Sequence, residues 1–264
     1  MLTKNTLMSD SIRISIVQPP LVWENISENL AYFEQQLRGL KGQTDLIVLP
    51  EMFTTGFSMN TTLAESIPGP TFEWMSQLAQ SFGSAITGSI ICKENGQFYN
   101  RLLFVRPDGS YDYYDKKYLF SLGGEHKAYK AGNERMTLSY LGWKIRPLIC
   151  YDLRFPVWSR NTDGYDLLIY VANWPDKRRH HWMSLLAARA IENQSYCVGV
   201  NRVGTDSKGH YYSGDSSVYD YSGRLLVQLT DQASIVTISI SKEKQSTFRQ
   251  KLDFLSDQDA FQIK

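Results

Sequence analysis

Cys150 ends an apolar run, Ile-Arg-Pro-Leu-Ile at 145–149, and the polar Tyr-Asp-Leu-Arg follows it at once. The run reads as a buried strand that delivers a thiol to a sharp turn, a place where a nucleophile would stand. A lone cysteine more often serves as a small buried hydrophobe, so position alone leaves both roles open. As a nucleophile the thiol needs help, because free cysteine titrates near ~8.5 and is barely ionised at neutral pH. The four histidines, His126, His180, His181 and His210, sit in no pattern resembling a cysteine-protease signature. A carboxylate could act as the base if burial raised its pKa from ~4.3 toward neutrality. Glu51, which follows the apolar run at 45–49 and Pro50, is suited to such burial. A lysine could favour the thiolate and stabilise the oxyanion formed by attack on a carbonyl. Lys116 stands where a tyrosine-rich segment runs into an aromatic loop. Taken singly, Glu51 and Lys116 read as surface charges.

The elements that must position these residues can be followed along the chain. Residues 12–18 alternate apolar and polar and stop at Pro19-Pro20, a strand with a breaker. Asn25 or Ser27 can cap a helix whose Leu30, Phe33, Leu37 and Leu40 share a stripe. The nearly all-apolar 45–49 reads as a strand covered on both faces. A second helix fits 71–82, capped by Thr71, with Phe72, Met75, Leu78 and Ala79 inward. Segments 85–92 and 97–106 read as neighbouring strands, and Pro107-Asp108-Gly109-Ser110 as a turn. Tyr111, Tyr113 and Tyr114 read as strand packing, and 121–132 as a loop. Strands are predicted around 136–141, 145–150, 166–172 and 197–202, with a helix from near His180 through 193. A hairpin at 218–229 and a strand at 235–240 follow. Residues 1–10 read as a flexible N-terminal extension, and 241–264 as a polar, helix-prone tail. Strands alternating with helices, without a linker-like break, predict one α/β domain over 1–264. Apolar strands end at Glu51, Cys150 and Asn173, and ligands of layered α/β folds gather at such ends.

Composition narrows the classes. A content of 42% hydrophobic and 21% charged residues in 264 is ordinary for a soluble globular protein. Lys plus Arg (28) nearly balances Asp plus Glu (27), so no global field favours nucleic acid or an anionic membrane. Cys92, Cys150 and Cys197 are too scattered for a disulfide framework or a zinc knuckle, which suggests a reducing compartment. Cys92 and Cys197 lie within apolar runs and read as inert core thiols. No apolar run reaches membrane-spanning length, and 1–10 lacks the apolar core of a signal peptide. The expectation is a cytoplasmic protein without nucleic-acid or membrane partners. His180 and His181, adjacent on a helix, do not share a face, so no metal site is expected.

Three segments together resemble the signature of the nitrilase superfamily of carbon–nitrogen hydrolases. They are Leu-Pro-Glu-Met-Phe at 49–53, Lys-Lys-Tyr-Leu-Phe at 116–120 and Ile-Cys-Tyr-Asp-Leu-Arg-Phe-Pro at 149–156, in the family's order and at similar separations. The resemblance runs from about residue 12 to 240 and implies a four-layer α-β-β-α sandwich. Residue by residue it implies Glu51 as general base, Lys116 as cationic stabiliser and Cys150 as nucleophile, with no cofactor. Glu125 with Gly132 matches a second family glutamate and the glycine seven residues on; the glutamate would orient the lysine or the incoming amide. Asn-Trp-Pro at 173–175 is similar to another family segment, with Trp174 as a pocket wall. Many members have histidine where this chain has Tyr118, which keeps an aromatic ring and a hydrogen-bonding tip there, and Tyr118 is expected with Tyr151 among the residues that contact the substrate. The spacing to Leu119-Phe120 favours Lys116 over Lys117.

Within the superfamily the chain resembles the omega-amidases across Tyr151 to Pro156 and around Gly123-Gly124-Glu125, and those enzymes hydrolyse the terminal amide of short dicarboxylic monoamides such as 2-oxoglutaramate and 2-oxosuccinamate. That implies attack through a thioester, an oxyanion held by Lys116 and the Tyr151 N–H, and a homodimer or larger assembly. The substrate carboxylate asks for a cation. Arg154 is one candidate, though it reads first as a partner in a structural ion pair with Asp152 or another acid. Lys177-Arg178-Arg179, just after Asn173-Trp174-Pro175, is a second candidate at the rim, but it reads first as a solvated loop. An N-carbamoyl amine or a nitrile are the other substrate classes. A binding protein that keeps the fold without turnover is the reading of a different class.

Overall fold

The computed structural model describes residues 10–263, so most of the expected extension at 1–10 lies outside the described residues. In chain order the elements are β1 (Ser11–Gln18), α1 (Ile26–Leu37), β2 (Leu46–Val48), α2 (Pro70–Phe82), β3 (Ala85–Glu94), β4 (Gln97–Val105) and β5 (Tyr111–Asp115). There follow α3 (Glu125–Ala128), β6 (Leu138–Tyr140), β7 (Trp143–Ile149), α4 (Pro156–Ser159), β8 (Leu167–Val171) and α5 (Arg179–Asn193). The chain closes with β9 (Tyr196–Val200), β10 (Val203–Thr205), β11 (Tyr211–Tyr219), β12 (Leu225–Thr230), β13 (Ser234–Ser241) and α6 (Lys242–Lys251).

Among the described residues the strands form two mixed sheets. One is ordered β13-β1-β2-β3-β4-β5, the other β10-β11-β9-β8-β7-β6, with β12 also paired to β11. Each sheet holds a parallel trio, β1-β2-β3 and β7-β8-β9. Alternation explains the layers. Ile12, Ile14 and Ile16 of β1 join Leu102 and Phe104 of β4 in one core with Ile145, Ile149, Leu167 and Ile169 of the second sheet. The opposite face of the first sheet, with Ile47, Ile86 and Leu103, packs on Phe33 and Leu37 of α1 and on Met75 and Ala79 of α2. Trp182, Leu186 and Ala190 of α5 cover the second sheet. The result is the α-β-β-α sandwich.

Helix starts show where local chemistry decided. Asn25 caps α1, accepting from the Glu28 N–H. Thr71 does not cap α2 as the sequence suggested. Pro70 opens that helix, and the Thr71 N–H and hydroxyl both turn to the carboxylate of Glu65. The expected loop at 121–132 contains the single helical turn α3, which buries Glu125. The polar stretch after Ser241 carries α6, capped by the Ser241 hydroxyl accepting from the Lys244 N–H. Tyr111 and Tyr113 are exposed, whereas Tyr114 is buried. No helix among the described residues is long and apolar enough to cross a membrane.

Candidate active site

Four side chains predicted from sequence meet between the sheets. The Lys116 ammonium, fully buried just past β5, donates to Glu51 Oε1 at 2.7 Å and to both oxygens of Glu125 at 3.0 Å. Glu51 lies just past β2. Its Oε2 accepts from the Asn173 N–H at 2.8 Å, and its carbonyl accepts from Asn173 Nδ2 at 2.6 Å. The strand end at β8 thus fastens the strand end at β2 across the two sheets. Glu125 Oε2 also accepts from the Phe120 N–H at 2.6 Å. The Cys150 thiol lies close enough to this cluster for the charges of Glu51, Lys116 and Glu125 all to act on it.

Cys150 begins a 3-10 turn, Cys150–Arg154, at φ +42°. A positive φ is uncommon outside glycine and costs on the order of 1–3 kcal/mol, so the packed strand β7 must hold the thiol there. Met52, immediately after Glu51, has φ +44°, and its N–H is taken by Ser89 Oγ at 2.9 Å.

Sequence reasoning missed Asn100, in the middle of β4. Its Nδ2 donates to Glu51 Oε1 at 2.8 Å and to Glu125 Oε1 at 3.0 Å, while its Oδ1 accepts from Ser89 Oγ at 2.8 Å. Nothing in the run 97–105 marks this asparagine, because a buried polar residue in a strand has no periodicity of its own. It also missed Asp152, whose carboxylate accepts from the N–H groups of Ile149 and Tyr118 and from the Tyr114 hydroxyl.

Electrostatics set the protonation states. Burial opposes the Lys116 charge, but Glu125 and Glu51 outweigh it and raise the ammonium's pKa. Burial raises Glu125 against the pull of Lys116, and Glu51 adds to the rise. The Cys150 thiol is pushed well up, first by burial and then by Glu51, with Lys116 opposing. At neutral pH the site therefore holds a neutral thiol beside a charged ammonium.

Cys150 opens onto a cavity of about 400 Å³ lined also by Tyr151, Phe120, Trp174 and Tyr212. Arg154 and Arg178 line it too. The expected Arg154–Asp152 ion pair does not form: Asp152 is fully buried among N–H and hydroxyl donors. Instead Arg154 lies 4.7 Å over the Trp174 ring and hydrogen-bonds His181 Nδ1 at 3.2 Å. Arg178 lies 5.5 Å over the Phe120 ring. Among the described residues neither guanidinium pairs with a carboxylate. Burial and the nearby Arg178 both lower the Arg154 pKa. Arg179, by contrast, is tied to Asp215 at 2.7 Å.

Tyr118, expected to contact substrate, does not line the cavity. Its ring stacks on Phe155 at 3.7 Å and meets Trp158 edge-on, which places it behind the wall. Lys117 points to the Trp158 ring rather than to the acids. His180 and His181 join no cluster of ligating side chains among the described residues.

The carbon–nitrogen hydrolase family matches residues 13–250. The chain is 44% identical to the omega-amidase YafV of Escherichia coli K12, over 96% of this chain and 98% of that one. It is 32% identical to the 2-oxoglutaramate amidase of Bacillus subtilis, over 92% and 96% of the two chains. It superposes with a TM-score of 0.95 on the crystal structure of XC1258 from Xanthomonas campestris, a CN-hydrolase superfamily protein with an arsenic adduct in its active site. That match has 42% identity and covers 96% of this chain and 99% of that one. The buried Glu-Lys-Cys cluster lies within the matched span, and the chain belongs to the carbon–nitrogen hydrolase family, as an enzyme of the nitrilase superfamily.

Proposed function

We propose that this hydrolase is an omega-amidase, releasing ammonia from the terminal amide of short dicarboxylic monoamides such as 2-oxoglutaramate and 2-oxosuccinamate. One observation carries the reading: two guanidinium groups without carboxylate partners among the described residues, Arg154 and Arg178, line the cavity that Cys150 opens onto. Uncompensated cations in a partly closed space call for an anion, and a substrate with a distal carboxylate supplies one. Among the described residues the one carboxylate lining the cavity, Asp206, accepts from the N–H groups of Lys208 and His210 and from the Tyr212 hydroxyl. It is poorly placed to welcome the α-ammonium of glutamine. Similarity to the omega-amidase of E. coli and the 2-oxoglutaramate amidase of B. subtilis supports the same assignment.

In the reaction, Glu51 takes the thiol proton as Cys150 sulfur attacks the amide carbon. Lys116 and the Tyr151 N–H, at the start of the 3-10 turn, hold the oxyanion, a contribution of about 3 kcal/mol per donor. The C–N bond breaks as Glu51 returns the proton to nitrogen, leaving a thioester and ammonia. Glu51 then takes a proton from water, whose oxygen attacks the thioester, and the sulfur regains its proton as the acid leaves. Glu125 orients Lys116. Trp174 and Tyr151 wall the acyl chain. A homodimer belongs to the same reading on family resemblance, and a cytoplasmic location on three free thiols that suit a reducing compartment.

The test is ammonia release from 2-oxoglutaramate, 2-oxosuccinamate, glutamine, asparagine, an N-carbamoyl amine and a nitrile, with Cys150→Ala as blank. The 2-oxo amides should lead. Faster turnover of glutamine would overturn the substrate assignment, and parent-rate release by Cys150→Ala would overturn the covalent route.

A further inference from the structure

The proposed mechanism leaves one buried acid unused. Asp152 is fully buried and, among the described residues, has no cationic partner in contact. Its Oδ1 accepts from the Tyr118 N–H at 2.9 Å, two residues past Lys116. Its Oδ2 accepts from the Ile149 N–H at 3.0 Å, one residue before Cys150, and from the Tyr114 hydroxyl at 2.8 Å. The same hydroxyl accepts from Trp158 Nε1 at 2.9 Å and from the Lys117 N–H at 3.2 Å. Of these five hydrogen bonds, three join the segment 114–118 to the segment 149–158, on opposite sheets, and the other two fix the carboxylate and the phenol within their own segments.

We propose that Asp152, seconded by Tyr114, is a positioning residue that pins the turn carrying Cys150 to the segment carrying Lys116 and so sets the geometry of thiol and ammonium. The inference rests on the reading of those two groups as the reacting pair. It does not depend on which amide is the substrate. Two features make the carboxylate suited to this task. Its oxygens present acceptors on both sides at once, which no neutral side chain of that length does. The contacts involve backbone N–H groups flanking the reactive residues, so a shift at Asp152 moves Cys150 against Lys116 directly. A misplacement of about 1 Å can cost on the order of 100-fold in rate.

The assignment has a titration signature. Burial raises the Asp152 pKa to about 6, with the N–H groups of Tyr118 and Ile149, the Lys116 charge and the Tyr114 hydroxyl opposing the rise. Its titratable neighbours are Lys116, Tyr114 and Tyr118 from the lysine segment and Tyr170 from β8, and Arg189 of α5 donates to the adjacent Leu153 carbonyl at 2.6 Å. Below pH ~6 the protonated acid carries an O–H that must face one of its three donors, two of which belong to the lysine segment, and one of the carboxylate's contacts is lost. Because the folded pKa is raised, protonation relieves a buried charge, so this group does not lower global stability as the pH falls. Reactivity is lost without unfolding.

The experiment follows Cys150 alkylation by iodoacetamide, and ammonia release from 2-oxoglutaramate, across pH 4.5–8 for the parent, Asp152→Asn and Tyr114→Phe. Alkylation needs no substrate, so a wrong amide assignment silences only the ammonia arm. In the parent, Cys150 labelling should fall with an additional one-proton break near pH 6. Asp152→Asn should lack that break and label about 100-fold more slowly at pH 7, with ammonia release losing kcat rather than KM. Tyr114→Phe, which removes a donor that favours the carboxylate, should move the break to higher pH, and it serves if Asp152→Asn does not fold. A break unmoved in Tyr114→Phe, or Asp152→Asn labelling within threefold of the parent with the break intact, would overturn the proposal.

Discussion

Lys116 is shared by two carboxylates, and removing it tests what the cluster costs. In Lys116→Met, Glu51 and Glu125 would stay buried with Asn100 as their common donor and no cation. Breaking a buried ion pair from one side typically costs about 3–5 kcal/mol. The loss should depend on pH in a defined direction. Burial already raises Glu125 even with the ammonium beside it, and without it the rise grows. A carboxyl whose folded pKa is raised binds its proton more tightly when folded, so folding gains as the pH falls through that pKa. Denaturant titrations should therefore show the variant about 3–5 kcal/mol less stable than the parent at pH 8, with the gap narrowing by pH 5. A constant gap would mean that the acids do not feel the ammonium. Glu51, Lys116 and Cys150 could be singled out from sequence because each lies in a segment resembling the nitrilase signature; strand ends alone left their roles open. Asn100 could not, since its role depends on β4 lying between two loops that are distant in sequence. Tyr118 misled for a related reason: adjacency to Lys116 says nothing about which side of the wall a ring occupies.

At the scale of elements, α3 was the chief omission. Four residues are too few to show helical periodicity, and the turn is held largely by tertiary contacts, with the Glu125 side chain gripping the Phe120 N–H and the Lys116 ammonium. Gly132 explains why the segment closes as it does. Its N–H donates to the Lys116 carbonyl at 2.9 Å, and a Cβ placed there would lie 2.2 Å from the Asp115 carbonyl oxygen. The requirement is close backbone approach rather than an unusual φ. Gly132→Ala must push the loop away from β5, at a cost of about 1–3 kcal/mol for overpacking. Because the displaced strand end leads directly into Lys116, ammonia release should fall more steeply than stability alone accounts for. Thermal denaturation together with kcat on 2-oxoglutaramate at 25 °C, where the variant remains folded, separates the two. Loss of stability with parent kcat would show that the lysine does not depend on this loop.

At the scale of the molecule, strands alternating with helices told of an α/β domain and the family resemblance implied its four layers, but sheet order was not legible. That β13 returns to pair with β1 along its whole length, residue Ser11 opposite Ser241 and Gln18 opposite Ser234, is a contact over more than two hundred positions that no local pattern encodes. Charge behaves similarly. A net charge of +1 gives the chain almost no long-range pull on an anion, so any attraction for a carboxylate must arise at the cavity itself. There Arg154, Arg178 and Lys208 stand together with Asp206 engaged by its own turn. Low-dielectric walls focus such a field, while salt screens it beyond a Debye length of about 8 Å at physiological ionic strength. For 2-oxoglutaramate, kcat/KM should fall severalfold between ~0.01 and ~0.5 M salt, and for a neutral primary amide of equal length it should stay flat. The double variant Arg154→Gln, Arg178→Gln should raise KM for the anionic amide by on the order of 100-fold, since a charge-assisted contact contributes about 1.5–3 kcal/mol. It should also erase most of the salt dependence while leaving turnover of the neutral amide near the parent value. Equal losses on both amides would place the arginines in the scaffold of the cavity instead of in contact with the substrate anion.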